Sequence, residues 1–147
     1  MSQTKQARLV PQTGEPGEEV VHLSSFGIVK QGGKVLLMKM IRPERHAGKW
    51  ALPALVINYG ENPLQAISRV TQSSLGVAPK GVRILDVQSY GDKHWDICFV
   101  YKMELSGPEA HSQDVESVEY FDLAALPAGL LEGHREVLQS LIDSRLA

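Results

Sequence analysis

Runs of apolar and polar positions along the chain predict strands joined by tight turns. Residues 22–30 (HLSSFGIVK) and 34–41 (KVLLMKMI) are β-rich and flank the turn Gln31-Gly32-Gly33. Two β-rich runs that flank a glycine turn indicate a hairpin. A second hairpin and a further short strand are predicted at residues 82–90, 95–105 and 117–123.

Two other segments have the periodicity and end signals of helices. Between Asn62 and Gly76, Asn62 suits the N-cap and Pro63 the first helical position, while Gln65 completes a capping-box spacing. Gly76 fits the position just past the helix end. Residues 130–146 have the apolar stripe of an amphipathic helix. The order hairpin, helix, hairpin, strand, helix predicts an α/β domain of the α+β type, with a mixed β-sheet between helices.

The length of the chain and its first residues predict one domain with a tail. A chain of 147 residues is within the usual size of a single domain. Residues 1–20 contain prolines and glycines among polar neighbours without an apolar period, so they are predicted to form a loose N-terminal tail. Residues 21–147 are then the folded domain.

Composition and charge exclude several classes of protein. The formal net charge is -2, from 15 Lys and Arg against 17 Asp and Glu, so no strong nucleic-acid signal is present. No apolar run is long enough to span a bilayer and residues 1–9 lack the apolar core of a secretory signal, so we expect a cytoplasmic protein without membrane association. The single cysteine, Cys98, lies in an apolar run and is expected to be buried.

A motif follows the first hairpin. Residues 50–61 (WALPALVINYGE) match in register the pattern W-x-L-P-G-G-x4-G-E that opens the Nudix box, and an arginine and a closing glycine follow at the box spacing. The chain therefore resembles the Nudix hydrolase superfamily, from about Phe26 to Ile142. The resemblance implies a Nudix fold and gives scaffold roles to Trp50, Pro53, Gly60, Glu61, Arg69 and Gly76.

The box is degenerate at the positions that hold metal in the family. In Nudix hydrolases, glutamates of the box helix hold Mg²⁺ against a diphosphate while water attacks phosphorus. Val70, Ser73 and Ser74 stand at those positions, on what we expect to be one helical face. Serine hydroxyls bring no negative charge, so no metal site and no cofactor are expected, with Mg²⁺ or Mn²⁺ required only if the chain is a hydrolase. Ala54 and Leu55 also replace two glycines of the pattern.

Several acids remain as candidates for catalysis, although none is assigned. The resemblance implies that Glu61 pairs with Arg69 and holds the box loop onto the helix. Glu116 and Glu119, with Asp114 nearby, precede or lie in the last predicted strand, where some family members add a metal ligand. Glu61, Glu116 and Glu119 would therefore be the catalytic candidates if the protein is active.

Cationic and aromatic side chains in two predicted loops are candidates for recognition. Guanidinium groups suit phosphate, and aromatic faces suit a nucleobase. The candidate ligand-binding residues are Arg42, Arg45, His46, Tyr90 and Trp95. His94, Asp92 and Asp96 are interpreted as ordinary residues of the second turn.

These features support three functional hypotheses. The first is a Nudix-fold protein that binds a nucleotide-like or diphosphate-containing small molecule, or a partner, without efficient hydrolysis. The second is a diverged Nudix hydrolase that cleaves a nucleoside diphosphate-linked compound with acids outside the helix. The third is a scaffold or homodimer that uses exposed apolar groups such as Val56, Ile57 and Tyr59.

Overall fold

The computed structural model describes residues 20–91 and 94–147, which form seven strands and two helices. The strands are β1 (Val20–Gln31), β2 (Lys34–Met40), β3 (Trp50–Ala51), β4 (Ala54–Val56), β5 (Pro79–Tyr90), β6 (His94–Leu105) and β7 (Val115–Asp122). The helices are α1 (Pro63–Leu75) and α2 (Glu132–Asp143), and a 3-10 turn spans Glu44–His46. The predicted tail, residues 1–20, lies outside the described residues except for Val20, with which β1 begins.

A mixed sheet forms the centre of the domain. Its order is β3-β2-β1-β6-β5, with β4 paired to β1 and β7 paired to β2. β1 and β6 run parallel, and the other pairs are antiparallel. Both predicted hairpins are confirmed, because Gln31 pairs with Lys34 and Tyr90 pairs with Asp96.

Helix α1 begins and ends as its sequence predicts. The Asn62 side chain accepts a hydrogen bond from the Gln65 N–H at 2.8 Å, and the Gln65 side chain accepts one from the Asn62 N–H at 3.0 Å. Gly76 closes the helix with φ 70°, in the left-handed region. A Cβ at Gly76 would lie 2.7 Å from the Ala110 carbonyl oxygen. Both the backbone angle and the close approach therefore require glycine at this position.

The two helices cover opposite faces of the sheet. On one face, α1 packs in a core of Val29, Leu36, Met38, Ile67, Val70, Leu75, Tyr101, Met103 and Val115. On the other, α2 packs in a core of Phe26, Ile28, Val35, Leu37, Leu52, Cys98, Val100, Leu130, Val137, Leu138 and Leu141. The predicted sheet between helices and the predicted burial of Cys98 are both confirmed.

Two short strands were not predicted from the sequence. β3 pairs with β2 through Ala51 and Met38, and β4 pairs with β1 through Leu55 and Ser25. Strands of two and three residues carry too little periodicity to be read locally, and they form because the longer strands offer partners. In the described part of the chain, no helix has the length and apolar character needed to cross a membrane.

Candidate functional site

A cleft of about 490 Å³ opens between the box segment, the loop after β2 and the start of α2. Apolar side chains form the larger part of its wall, and several polar side chains line the same space. The lining residues are Ser24, Phe26, Met38, Met40, Pro43, Arg45, His46, Ala51, Leu52, Ala54, Leu55, Val56, Ser74, Tyr90, Asp96, Leu131 and His134. A largely apolar cavity with a few convergent polar groups is the usual form of a small-molecule site.

The first motif residues hold one wall of this cleft in place. The Trp50 ring packs edge to face on Phe121, with centroids 4.8 Å apart. The backbone N–H of Trp50 donates to the Gly129 carbonyl at 2.9 Å, and the Trp50 carbonyl accepts from the Leu131 N–H at 2.9 Å. Pro53 is buried, and its carbonyl accepts from the Gly27 N–H at 2.8 Å. These contacts join the box segment to β1 and to the start of α2.

Glu61 and Arg69 fasten the loop before α1. Arg69 donates from Nε to Glu61 Oε2 and from Nη2 to Glu61 Oε1, both at 2.9 Å. Glu61 Oε1 also accepts from the Asn58 N–H at 3.0 Å, and Arg69 reaches the Val56 carbonyl at 3.2 Å. The hydrogen bonds from Arg69 and Asn58 lower the pKa of Glu61 to about 2. The contact implied by the resemblance is present, and Gly60 adopts φ 83° beside it.

The three positions that align with the family's glutamates differ in their exposure to solvent. Val70 is only 5% exposed and belongs to the core beneath α1. Ser73 is exposed and donates weakly to the Val70 carbonyl at 3.4 Å. Ser74 is partly buried and lines the cleft. The three positions lie at i, i+3 and i+4 of α1, on one side of the helix as expected, but they differ in burial because α1 turns its Val70 edge toward the sheet.

Ala54 and Leu55 stand where the motif pattern has glycines, and both adopt ordinary strand geometry. They lie in β4, opposite Phe26 and Ser25 of β1. Neither has a positive φ: among the described non-glycine residues only Arg145 does. Their side chains form part of the cleft wall. The backbone here does not require glycine, and the two side chains fill space that glycines would leave open.

The structure brings three of the five candidate recognition residues to the cleft. Arg45 and His46, on the 3-10 turn, line it together with Tyr90 from the end of β5. Arg42 lies outside the lining and pairs with Asp114 at 3.2 Å, on the surface. Trp95 is also outside the lining, 42% exposed, and pairs with Val21 of β1. Arg42 and Trp95 therefore lie outside the cleft, Arg42 in the loop after β2 beside Asp114 and Trp95 in β6.

The candidate acids lie away from the cleft, with one exception that the sequence interpretation missed. Glu116 and Glu119 are exposed on β7, and Glu116 lies 3.9 Å from Lys39. Asp96, interpreted as a turn residue, instead lies within β6 and lines the cleft. Asp92 lies outside the described residues. Across residues 20–91 and 94–147, no three His, Cys, Asp or Glu side chains cluster as a group that could hold a metal ion.

His134 is the cleft residue that sequence reasoning did not find. It lies in the first turn of α2, where it accepts a hydrogen bond at Nδ1 from the Leu52 N–H at 3.0 Å. Its ring packs edge to face on Phe26, with centroids 4.9 Å apart. Burial, with a smaller effect of the nearby His46, lowers the pKa of His134 to about 4. No local pattern marks this residue, because its environment comes from β1 and the box segment.

Tyr90 is held on the same side of the sheet by contacts with Cys98. Its hydroxyl donates to the buried thiol, and burial raises the pKa of Tyr90 well above its usual range. Burial likewise raises the pKa of Cys98, to about 11. Tyr90 also packs close to Gly133 of α2. The ring is therefore a fixed part of the cleft wall, and the thiol stays protonated at neutral pH.

Comparisons with known proteins agree with this architecture. The NUDIX domain profile matches residues 21–141. An ADP-ribose pyrophosphatase from Methanocaldococcus jannaschii is 29% identical over 117 residues, which cover 77% of this chain and 68% of that protein.

Solved structures give the same result. A MutT NUDIX hydrolase from Burkholderia pseudomallei superposes with a TM-score of 0.71 at 27% identity, covering 82% of this chain and 98% of the other. The E. coli ORF135 protein superposes with a TM-score of 0.73 at 17% identity, covering 90% and 96%, and so shows the shared fold alone. With the box segment, its Glu61 and Arg69 pair and the sheet between two helices in place, the chain belongs to the Nudix family.

Proposed function

We propose that this Nudix protein uses its cleft to bind a nucleotide-like, diphosphate-containing small molecule without efficient hydrolysis. The observation that carries the proposal is the set of groups beside the box helix. Where the family places glutamates, this chain has buried Val70 and two serines, of which Ser74 faces the cleft. Where an anion would enter, it has Arg45 and His46.

Arg45 and His46 are suited to receive phosphate oxygens directly. The Arg45 guanidinium is always charged and presents several N–H donors. Burial, followed by the charges of Arg45 and Lys49, lowers the pKa of His46. His46 is therefore mainly neutral at physiological pH and contributes a hydrogen bond rather than a second charge. One fixed cation and one neutral donor favour a phosphate over an uncharged ligand.

The donor set at the box helix does not fit Mg²⁺. A hard divalent cation needs several oxygen ligands and prefers carboxylates. Val70 offers none, and the serine hydroxyls offer no charge to offset dehydration of the ion. The carboxylate of Glu61 already accepts hydrogen bonds at both oxygens from Arg69. No catalytic step through a metal is therefore assigned to these residues.

The rest of the cleft supports a nucleoside as the remainder of the ligand. Phe26, Leu52 and Leu131 provide apolar wall next to the polar groups. A flat base buries apolar area on both faces, which favours such a wall. The relative from M. jannaschii is named for ADP-ribose. ADP-ribose, with one base and one diphosphate, is therefore the probe that we choose.

The diverged hydrolase remains the second candidate, because the relative and the B. pseudomallei structure are both named as enzymes. Its acids would have to come from outside α1. Glu116 and Glu119 do not line the cleft, so they would reach a bound diphosphate only if β7 or the neighbouring loop moved. This candidate predicts metal-dependent turnover that falls in Glu116→Gln and Glu119→Gln.

Calorimetry with ADP-ribose in EDTA, combined with product analysis in Mg²⁺ and in Mn²⁺, tests the proposal. We expect saturable binding in EDTA and no turnover above about 10⁻³ s⁻¹, far below the usual range of enzymes. Arg45→Ala should weaken binding about tenfold or more, because a charged hydrogen bond is lost. Arg83→Ala, an exposed arginine outside the cleft lining, is the matched control. Absence of binding, or turnover in the usual enzyme range, would overturn the proposal.

A further inference from the structure

The tautomer of His134 follows from its contacts. Nδ1 accepts from the Leu52 N–H at 3.0 Å, so Nδ1 carries no proton. The ring is neutral at physiological pH, since burial holds its pKa near 4. A neutral imidazole has one N–H, which must then be at Nε2. His134 therefore presents a hydrogen-bond donor at Nε2.

This donor has no acceptor among the described residues. Within residues 20–91 and 94–147, the ring makes one hydrogen bond, at Nδ1, and one ring contact, with Phe26. His134 is partly buried, and a donor shielded from bulk water without an acceptor is costly, so such groups usually meet a ligand or an ordered water. His134 lines the cleft, where an occupant would supply the missing acceptor.

Asp96 contributes a hydrogen-bond acceptor to the same cleft. It lies on β6, paired with Tyr90 and with its carboxylate 3.7 Å from Nδ1 of His22. A carboxylate accepts about four hydrogen bonds, so this contact leaves capacity for an occupant. Arg45 and Asp96 come from elements on opposite sides of β1, since the strand order is β2-β1-β6. A ligand can thus place its anionic part near Arg45 and another group near Asp96.

We propose that His134 and Asp96 recognise the edge of an amino-bearing heterocycle, with Nε2–H of His134 donating to a ring nitrogen and Asp96 accepting from the adjacent amino group. This rests on the proposed function, since it names the base of the bound nucleotide. Adenine presents a ring nitrogen beside its amino group and matches both residues. Hypoxanthine, which has a carbonyl in place of that amino group, sets oxygen against the Asp96 carboxylate. The cleft should therefore select adenine and reject hypoxanthine.

The first test compares ADP-ribose with its hypoxanthine analogue, IDP-ribose, by calorimetry in EDTA. The wild-type protein should prefer ADP-ribose by about tenfold or more, because a buried acceptor left facing an acceptor is strongly disfavoured. Asp96→Asn should reduce that preference to about threefold or less, since its amide can donate to the carbonyl. Asp114→Asn, which alters an exposed acid outside the cleft lining, should keep the wild-type preference.

Two substitutions of His134 separate its ligand contact from its structural contact. In His134→Asn, the amide oxygen takes the place of Nδ1 and keeps the bond from Leu52, but nothing reaches the position of Nε2. This variant should fold with near wild-type stability and bind ADP-ribose about tenfold more weakly. In His134→Gln, the amide nitrogen takes the place of Nε2 while the acceptor for Leu52 is lost. This variant should be less stable and bind within about threefold of wild type.

The outcomes separate this inference from the proposed function. Equal affinity for ADP-ribose and IDP-ribose, or unchanged affinity in folded His134→Asn, would overturn the inference that His134 and Asp96 recognise the base. Nucleotide binding itself would remain in place. No binding of either compound would overturn both the proposed function and the inference that His134 and Asp96 recognise the base.

Discussion

Arg69 and Glu61 form a two-point pair across the start of the box helix, with both hydrogen bonds 2.9 Å long. The same carboxylate accepts the Asn58 N–H, and the same guanidinium reaches the Val56 carbonyl. Four contacts therefore join the end of β4, the loop and the helix. The pair holds the box segment in place without the glutamates that Nudix hydrolases carry on the helix. The box geometry is therefore kept although Val70 and Ser74 stand at those positions.

The first prediction concerns this pair. Glu61→Ala and Arg69→Ala should each lower the melting temperature, and the double variant should lose much less than the sum of the two. Non-additivity is expected because either change removes the same two-point contact. Thermal unfolding of the four proteins measures the coupling. The surface pair of Arg42 and Asp114 is the control, and its cycle should be close to additive. An additive Glu61 and Arg69 cycle would contradict the scaffold role.

Much of the fold could be predicted because its signals are local. The capping box at Asn62 and the glycine turns of both hairpins depend on neighbours in sequence, and each is present in the structure. β3 and β4 could not be predicted, because they form only where β2 and β1 offer partners.

The second prediction concerns the neutral state of His134. Its folded pKa, about 4, lies below the ordinary 6.5, so the unfolded chain binds a proton in this interval and the folded chain does not. The free energy of unfolding should have its full value above pH 6.5. It should fall by roughly 3 kcal/mol as the pH drops toward 4. Urea unfolding at several pH values measures the slope. His134→Asn should flatten it, whereas a change of the exposed His111 should not. An unchanged slope in His134→Asn would show that His134 does not titrate as described.

The third prediction uses the burial of Val70. Val70→Glu places a carboxylate in the core beneath α1 and should lower the free energy of unfolding by several kcal/mol. Ser74→Glu, on the cleft side, should cost about 1 kcal/mol or less because its carboxylate stays hydrated. Urea unfolding of the two variants decides the comparison. Equal losses of unfolding free energy in the two variants would mean that Val70 faces the cleft instead of the core.

The fourth prediction concerns the glycine that ends α1. Gly76→Ala should destabilise the protein by at least about 1–2 kcal/mol, because φ is 70° and the Ala110 carbonyl lies in the way. Gly33→Ala is the matched control, since a Cβ there meets nothing within 4 Å. Its effect should be small. Equal losses in the two variants would contradict the described end of the helix.

The site could be predicted only in part, and the reason is again physical. Arg45 and His46 come from one short segment, so their common location was visible in the sequence. His134 and Asp96 reach the cleft from α2 and β6, and only the packing of these elements brings them together. The burial of Val70 could not be predicted, because helical spacing gives relative positions on a helix but not which side meets the sheet.

The fifth prediction concerns the role of metal in the cleft. Enzymes that hold a diphosphate through glutamate-bound Mg²⁺ need the ion to screen repulsion between the acids and the phosphates. In the proposed binding mode Arg45 and His46 receive the anion, and Val70, Ser73 and Ser74 bring no repulsive charge. Added Mg²⁺ should therefore leave the affinity for ADP-ribose unchanged, or weaken it slightly by binding the diphosphate of unbound ADP-ribose.

The dissociation constant of ADP-ribose, measured by calorimetry in EDTA and again in millimolar Mg²⁺, tests the central claim most directly. We predict that the two values agree within about threefold and that the nucleotide is recovered intact. Binding that requires Mg²⁺ and tightens by about tenfold or more in its presence would contradict the account, because it would mean that this cleft holds a metal in a way that its described side chains do not provide.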